Sequence, residues 1–204
     1  MKNIIILRNK PTPTDFIYIT QPLDNIKDSS KFNLVVINTQ NILNILIFLY
    51  LVLFKYKKTS LIISRTATGP WLHVISKTIN SLEQVVYLFD DDFESVSTSK
   101  ILPEKYKKKI LHIYEHEFQK LVDLSTDLVV TSRYLQNKYN AKLLEPIIYL
   151  NKNNLTHHNN YSKINIVYFG TAVHYHDLWH ISEAIKKIHN EFENVFFKII
   201  IGNK

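Results

Sequence analysis

Short apolar runs alternate with segments of helical periodicity along most of the chain. The runs at 33–38 (NLVVIN), 60–64 (SLIIS) and 84–89 (QVVYLF) have the near-continuous apolar character of strands that are covered on both faces. The segments between them carry apolar residues at the spacing of one helix face. This alternation predicts an α/β fold built around a mainly parallel sheet.

The same pattern assigns elements from one end of the chain to the other. Predicted strands cover residues 3–7, 33–38, 60–64, 84–89, 127–131, 142–148, 164–169 and 195–201, and residues 16–20 read as a further extended segment. Predicted helices cover residues 41–54, 71–79, 103–124, 132–139 and 177–189. The order of these elements is that of successive βαβ units.

The composition changes most sharply at residues 151–162 (NKNNLTHHNNYS), where Leu155 is the single aliphatic residue. This stretch predicts a linker between a first domain, residues 1–150, and a segment at residues 163–204. That segment reads as a single βαβ unit, which is too small to enclose its own core. We therefore expect it to dock on the first domain or to begin a second domain.

Charge and rare residues narrow the function classes. The net charge is +7 and the sequence pI is about 9.3, which suits an anionic partner such as a phosphate or an acidic membrane surface. The absence of cysteine excludes disulfides and thiol nucleophiles. The three glycines lie far apart, at positions 69, 170 and 202, so the chain has no G-x-G-x-x-G dinucleotide loop. No Arg-rich or aromatic-interleaved stripe is present, and we do not expect a nucleic-acid partner.

The longest apolar stretch, Ile42 to Phe54, is too short to span a bilayer. It predicts either a buried core helix or a helix on a membrane surface. Lys55, Lys57 and Lys58 follow it and would suit anionic lipid. The start of the chain lacks the pattern of a signal peptide, and we expect a cytoplasmic location, with peripheral contact at the inner face of the membrane if the second interpretation holds.

Charged residues follow two of the predicted strands. Arg65 comes directly after SLIIS, and Asp90, Asp91 and Asp92 come directly after QVVYLF. Ligands of open α/β sheets bind beyond the carboxyl ends of the strands, where these side chains would lie. The carboxylates are candidate catalytic groups, metal ligands or partners for hydroxyl groups. The alternative is that they lie in a solvated loop that caps the next helix. Arg65 would bind phosphate or carboxylate, or pair with the aspartates.

His112, Glu115 and His116 match the H-x-x-E-H pattern of one zinc-protease class. At helical spacing both histidines fall opposite the apolar stripe, on a solvated face. Because a hydrolytic zinc ion needs a shaped and largely dry cavity, we do not expect a metal site here.

The stretch at residues 164–188 runs from a buried-type strand into Gly170 and Thr171, then through a polar turn with His174 and His176, and then into a helix. The free N–H groups and positive dipole of a helix N-terminus suit a phosphate group. The alternative is an ordinary turn between a strand and a helix.

Three segments resemble the GT-B glycosyltransferases of the bacterial cell-surface-polysaccharide type: VVYLFDDDF, DLVVTSRYLQNKY and FGTAVHYHDL. Their order and spacing also fit, over residues 60–204. The resemblance implies two Rossmann-like domains that face a cleft, one for the acceptor and one for a nucleotide-sugar donor. It implies transfer of a sugar to a lipid-linked or polysaccharide acceptor, with no required cofactor and no essential metal.

On the donor side, the resemblance implies that Gly170, Thr171 and His174 line the donor diphosphate site. Many members of the family carry Arg and Lys in that loop, where this chain has His174 and His176. The family's donor-site glutamate lies beyond the position of Lys204. We therefore expect a C-terminally truncated form that holds the first domain and the start of the donor domain.

On the acceptor side, the resemblance implies that Arg65, Asp90 and Asp92 face the cleft, with Asp90, Asp91 and Asp92 as the catalytic candidates. Two alternatives remain open. One is a metal-dependent transferase of the GT-A type that uses Asp90 and Asp92. The other is a non-enzymatic basic α/β module that binds an anionic membrane surface.

Overall fold

The computed structural model describes residues 2–26, 31–146, 162–171 and 175–202. The chain forms two compact units. The first comprises Met1–Thr98 and Lys105–Tyr149, and the second comprises Ser99–Glu104 and Leu150–Lys204. The predicted linker at residues 151–162 lies outside the described residues, except for Ser162.

Six parallel strands form the sheet of the first unit: β1 (Lys2–Arg8), β2 (Phe32–Asn38), β3 (Thr59–Ser64), β4 (Leu82–Phe89), β5 (Asp127–Val130) and β6 (Lys142–Leu143). Their order is β2-β1-β3-β4-β5-β6, and each neighbouring pair is parallel. The predicted α/β class with a parallel sheet is therefore confirmed. The order reverses between β1 and β3, which is where doubly wound sheets of this kind open a crevice at the carboxyl ends of the strands.

Helices connect the strands: α1 (residues 13–26), α2 (residues 44–55), α3 (Gly69–Thr78), α4 (Phe93–Ser97), α5 (residues 104–124) and α6 (Arg133–Tyr139). Three of them contain a π-helical turn, at Phe16–Thr20, Leu51–Lys55 and Tyr114–Phe118. The short helix α4 is absent from the sequence-based assignment. The predicted strand at residues 142–148 is a strand over Lys142–Leu143, and residues 147 and 148 lie outside the described residues.

The two faces of the sheet are covered unequally. The helices α2, α3, α5 and α6 pack on one face and enclose the larger core, which includes Tyr87, Phe89 and Trp71. On the other face α1 covers a smaller cluster, in which Ile6, Ile19 and Leu88 are buried. An apolar groove of about 240 Å³ runs beside α1 on this second face.

The segment at residues 16–20 is helical, so the prediction of an extended segment there is wrong. Thr12 caps the helix: its Oγ1 accepts a hydrogen bond from the Asp15 N–H at 3.1 Å, and the Asp15 carboxylate accepts one from the Thr12 N–H at 3.0 Å. This reciprocal capping box, with Pro13 in the first turn, starts a helix that continues through Phe16–Thr20. Local capping therefore overrides the β-branched and aromatic character of those residues.

The second unit contains β7 (Ile164–Thr171), α7 (Tyr175–Glu191) and β8 (Val195–Gly202), and its two strands pair in parallel. This is the predicted βαβ unit. Among its described residues, Leu178 and Val195 are the buried hydrophobic side chains. Gly170 and Thr171 are part of β7 and pair with β8, whereas the sequence placed them in the turn that follows the strand.

Candidate functional site

Side chains from three segments meet at the carboxyl edge of the first sheet, next to the reversal of strand order. The Arg65 guanidinium forms ion pairs with two carboxylates: its Nε lies 3.2 Å from Asp90 Oδ1, and its Nη2 contacts Asp91 Oδ2. Thr14 donates a hydrogen bond from Oγ1 to Asp90 Oδ2 at 2.6 Å. The structure therefore shows the pairing that the sequence left as one alternative for Arg65.

The backbone of Arg65 has a left-handed conformation, with φ of 66°. The Thr66 N–H donates to the Ser64 carbonyl at 2.8 Å, which closes a γ-turn around Arg65. Its own N–H donates to the Leu88 carbonyl at 2.8 Å, and its carbonyl accepts from the Tyr87 hydroxyl at 2.8 Å. A non-glycine residue in a sparsely populated backbone conformation costs about 1–3 kcal/mol, and these hydrogen bonds hold Arg65 in it.

Two tyrosines near this edge have raised pKa values, and one of them, Tyr87, is fully buried. Burial, aided by the carboxylate of Glu117, raises the pKa of Tyr87 well above its ordinary value. The Tyr87 phenol therefore stays protonated and remains a donor to the Arg65 carbonyl. Burial, and then the charge of Asp91, also raises the pKa of Tyr106.

A buried carboxylate on α1 ties the start of that helix to the end of β3. Asp15 accepts hydrogen bonds from Ser64 Oγ at 2.6 Å and from Thr12 Oγ1 at 2.8 Å. These contacts fix α1 beside the turn at Arg65 and place Thr14 against Asp90. Sequence reasoning missed Thr12, Thr14, Asp15 and Ser64 as parts of this site. The T-x-x-D capping pattern at residues 12–15 was the signal that could have found them.

Asp92 turns away from Arg65 and ties α4 to α6. It caps α4 by accepting from the Ser95 N–H at 3.4 Å and the Ser95 hydroxyl at 2.6 Å. From α6, Lys138 Nζ lies 2.9 Å from Asp92 Oδ1, and the Tyr134 hydroxyl donates to Oδ2 at 3.0 Å. Burial raises the pKa of Asp92, but the hydrogen bonds from Ser95, Lys138 and Tyr134 outweigh it and lower the pKa to about 2.

The predicted cluster of three aspartates is therefore two separate arrangements. Asp90 and Asp91 both form ion pairs with the guanidinium of Arg65. Asp90 Oδ1 is buried and accepts no hydrogen bond from the described residues, although Arg65 lies beside it. Such an arrangement suits a ligand that donates hydroxyl groups better than it suits a phosphate. The described part of the chain contains no group of three or more His, Asp or Glu residues arranged to hold a metal ion.

The predicted donor residues fall at the edge of what the structure describes. Gly170 pairs with Ile201, and a Cβ at position 170 would lie 3.0 Å from Cε1 of Tyr168. A glycine here leaves room for the Tyr168 ring, which is a structural reason for its presence. His174 and the Thr171 side chain lie outside the described residues.

A second cavity, of about 600 Å³, lies between α3 and α5. His112 and His116 line it, with ring centroids 4.6 Å apart, together with His73 and Glu117. Both histidines of the H-x-x-E-H pattern are exposed, as their helical positions predicted. Burial raises the pKa of Glu117, and His112 lowers it by a smaller amount.

No protein family, curated protein or solved structure matches this chain. None of the helices in the described part of the chain combines the length and the apolar character needed to cross a bilayer.

Proposed function

We propose that the chain is a glycosyltransferase component of the GT-B type, in which the first unit receives the acceptor and the second unit begins the nucleotide-sugar-binding domain. The observation that carries the proposal is the Arg65 turn, held in a left-handed conformation beside Asp90 and Asp91 at the reversal of strand order. Strained residues of this kind cluster at ligand sites, and ligands of doubly wound sheets bind at this position.

The carboxylates beside Arg65 at this edge support an acceptor role, because carboxylate oxygens accept hydrogen bonds from hydroxyl groups. Asp90 would accept a hydrogen bond from an acceptor hydroxyl through its buried Oδ1, next to Arg65. Asp91 would act as the general base, since its side chain is about one third exposed. Asp92 is a poor base, because its pKa of about 2 makes it a weak proton acceptor.

The proposed reaction is a displacement at the anomeric carbon of the donor sugar. Asp91 takes the proton of the acceptor hydroxyl, the acceptor oxygen forms a bond to the anomeric carbon, and the bond from that carbon to the diphosphate breaks. The nucleoside diphosphate leaves with its electron pair. We place the reaction at the cytoplasmic face of the membrane, with a lipid-linked or polysaccharide acceptor and no required cofactor.

Calorimetry of the intact chain with a panel of UDP-, GDP- and dTDP-sugars, with and without EDTA, tests the donor half. We expect binding of at least one nucleotide sugar that EDTA leaves unchanged. Binding that disappears with EDTA and in Asp92→Asn would favour the metal-dependent alternative. The absence of heat with every donor would overturn the proposal.

Transfer of labelled sugar from the bound donor into a membrane lipid extract tests the acceptor half. Asp91→Asn should lower the rate about a hundredfold or more, since a general base contributes about 10²–10⁴-fold. Asp123→Asn is the matched control, because Asp123 is an exposed carboxylate on α5 that accepts from Gln119. Equal rates for the two variants would remove Asp91 from the mechanism.

A second candidate function is a non-enzymatic module that binds an anionic membrane surface. The observation that favours it is an exposed apolar face on α2 followed by lysines. This candidate predicts vesicle binding by a chain that gives no heat with any nucleotide sugar, so the calorimetry above separates the two.

A further inference from the structure

The helix α2 exposes a continuous apolar stripe, which we call the outer face of α2. Phe54 is 79% exposed and Leu46 is 67% exposed. The large hydrophobic residues that are exposed in this segment are Ile42, Leu43, Leu46, Ile47, Tyr50, Leu53 and Phe54. Their spacing is that of one face of a helix, and the Tyr50 and Phe54 rings stack on it with centroids 6.5 Å apart.

The opposite face of the same helix is already packed. Phe48, Leu51 and Val52 are buried in the larger core, and Phe48 contacts Trp71 edge to face at 5.9 Å. The core therefore accounts for one face of α2 and leaves the apolar character of the outer face unexplained. The two sequence-based interpretations of this segment, a core helix and a membrane-surface helix, each describe one side of it.

Positive charge borders the outer face, and the stretch of sequence that contains α2 has no acidic residue. Lys55, Lys57 and Lys58 are exposed at the end of the helix. No Asp or Glu occurs between Asp28 and Glu83 along the sequence. A second copy of the chain that docked through its own α2 would bring no carboxylate from this stretch to pair with the lysines. An anionic lipid surface supplies both an apolar layer and the missing negative charge.

We propose that the outer face of α2 docks on an anionic bilayer surface. The helix lies in the plane of the interface, its exposed apolar side chains enter the boundary between headgroups and acyl chains, and the three lysines contact lipid phosphates. The proposal deepens the peripheral location proposed above and is independent of the sugar chemistry, because it concerns a different face of the first unit.

Co-sedimentation of the full chain with vesicles tests the apolar part. We expect binding to vesicles of phosphatidylglycerol and phosphatidylcholine, and weak binding to pure phosphatidylcholine. Leu46→Glu with Phe54→Glu should lower the binding about tenfold or more, since each exposed side chain loses its apolar transfer. Leu111→Glu is the matched control, because Leu111 is an exposed apolar residue on α5. Equal loss in the control and the double variant would overturn the proposal.

Charge reversal tests the lysines. Replacing Lys55, Lys57 and Lys58 by Glu should lower binding to anionic vesicles about fivefold or more per residue, and added salt should mimic the change. The matched control replaces Lys105, Lys108 and Lys109, which are exposed on α5. If the control triple abolishes binding and the α2 triple does not, docking uses the α5 surface and the proposal is wrong.

A tryptophan at the outer face reports contact with lipid directly. In a Trp179→Phe background, Leu46→Trp should shift its emission to shorter wavelength with anionic vesicles and be quenched by brominated acyl chains, whereas Leu111→Trp should not. If Leu46→Trp is not quenched, the outer face does not contact lipid and the proposal is wrong. A concentration-dependent dimer that forms without lipid and is lost in Leu46→Glu would show that a protein occupies the outer face instead. Nucleotide-sugar calorimetry on the same variants should be unchanged, so failure of docking and failure of the transferase proposal remain distinguishable.

Discussion

Two strands, one in each unit, have nearly the same sequence pattern but differ in how far their aromatic side chains are buried. The strand β4 ends VVYLF and the strand β7 contains IVYF. In the first unit Tyr87 and Phe89 are fully buried, while in the second unit Phe169 is 78% exposed. The strand β4 lies between two neighbours in a six-stranded sheet, whereas β7 pairs only with β8 among the described residues.

The difference follows from the number of layers rather than from the strands themselves. The larger core of the first unit packs helices against the sheet, and Phe89 touches the rings of Tyr87, Phe93, Phe118 and Tyr139. Within the described residues of the second unit one helix faces two strands, and Trp179 on that helix is 69% exposed. A single βαβ unit has too little surface to cover both faces of its sheet.

The largest expected contrast comes from one phenylalanine in each strand. Phe89→Ala should lower the free energy of unfolding by about 3–5 kcal/mol, because it removes a fully buried ring. Phe169→Ala should change it by less than about 0.5 kcal/mol, as expected for an exposed site. Urea denaturation followed by circular dichroism, which reports on the helices and strands of both units, measures both. Similar losses for the two variants would break the comparison.

Hydrogen exchange sharpens the contrast without mutation. Amides of β4 at residues 86–88 should exchange about a hundredfold or more slowly than amides of β7 at residues 167–169, because openings of the second unit expose little apolar surface. Mass spectrometry of peptides from the two strands gives the rates. Equal protection would mean that β7 belongs to a larger cooperative core.

A smaller effect on stability is expected at Asp92, which links α4 to α6 in the first unit. The pKa of Asp92 is about 2 in the folded chain, against an ordinary value of 3.8. A carboxyl whose folded pKa is depressed adds stability above the unfolded pKa and loses it as the pH falls through the folded pKa. We expect Asp92→Asn to cost about 1–2 kcal/mol at pH 6 and almost nothing near pH 2.

Denaturation curves of the wild type and of Asp92→Asn between pH 2 and pH 6 give this difference. Asp123→Asn is the reference variant, since Asp123 has one exposed partner, Gln119. A penalty for Asp92→Asn that stays constant with pH would place the contribution of Asp92 in packing instead of in its charge.

Much of the architecture could be read from the sequence, because the strands are marked by apolar runs and the helices by their periodicity. The parallel sheet and the βαβ unit at residues 164–202 are confirmed on that basis. The error at residues 16–20 arose because the apolar and β-branched residues there favour a strand, while the helix signal lies upstream at Thr12 and Asp15.

Only part of the candidate site could be predicted from the sequence. Arg65 and Asp90 could be placed at one edge, since each follows a strand of a parallel sheet. The hydroxyl and carboxylate partners Thr14, Asp15 and Ser64 could not, because they come from different parts of the chain and meet only once β1 and β3 are adjacent. The sequence also could not predict that Asp90 and Asp91 pair with Arg65 while Asp92 pairs with Lys138, because Lys138 lies on α6, far along the chain from Asp92.

The sequence alone determined most of the strands and helices, with residues 16–20 and the short helix α4 as exceptions, and also that the sheet is parallel and that charged groups follow β3 and β4. Local periodicity and strand direction suffice for these, because each depends on neighbours within a few residues. The tertiary structure decided which apolar side chains leave water and which carboxylate meets which cation. Burial and ion pairing depend on what packs opposite a residue. For Phe89 and Phe169 the sequence pattern is nearly the same, but Phe89 is fully buried and Phe169 is 78% exposed.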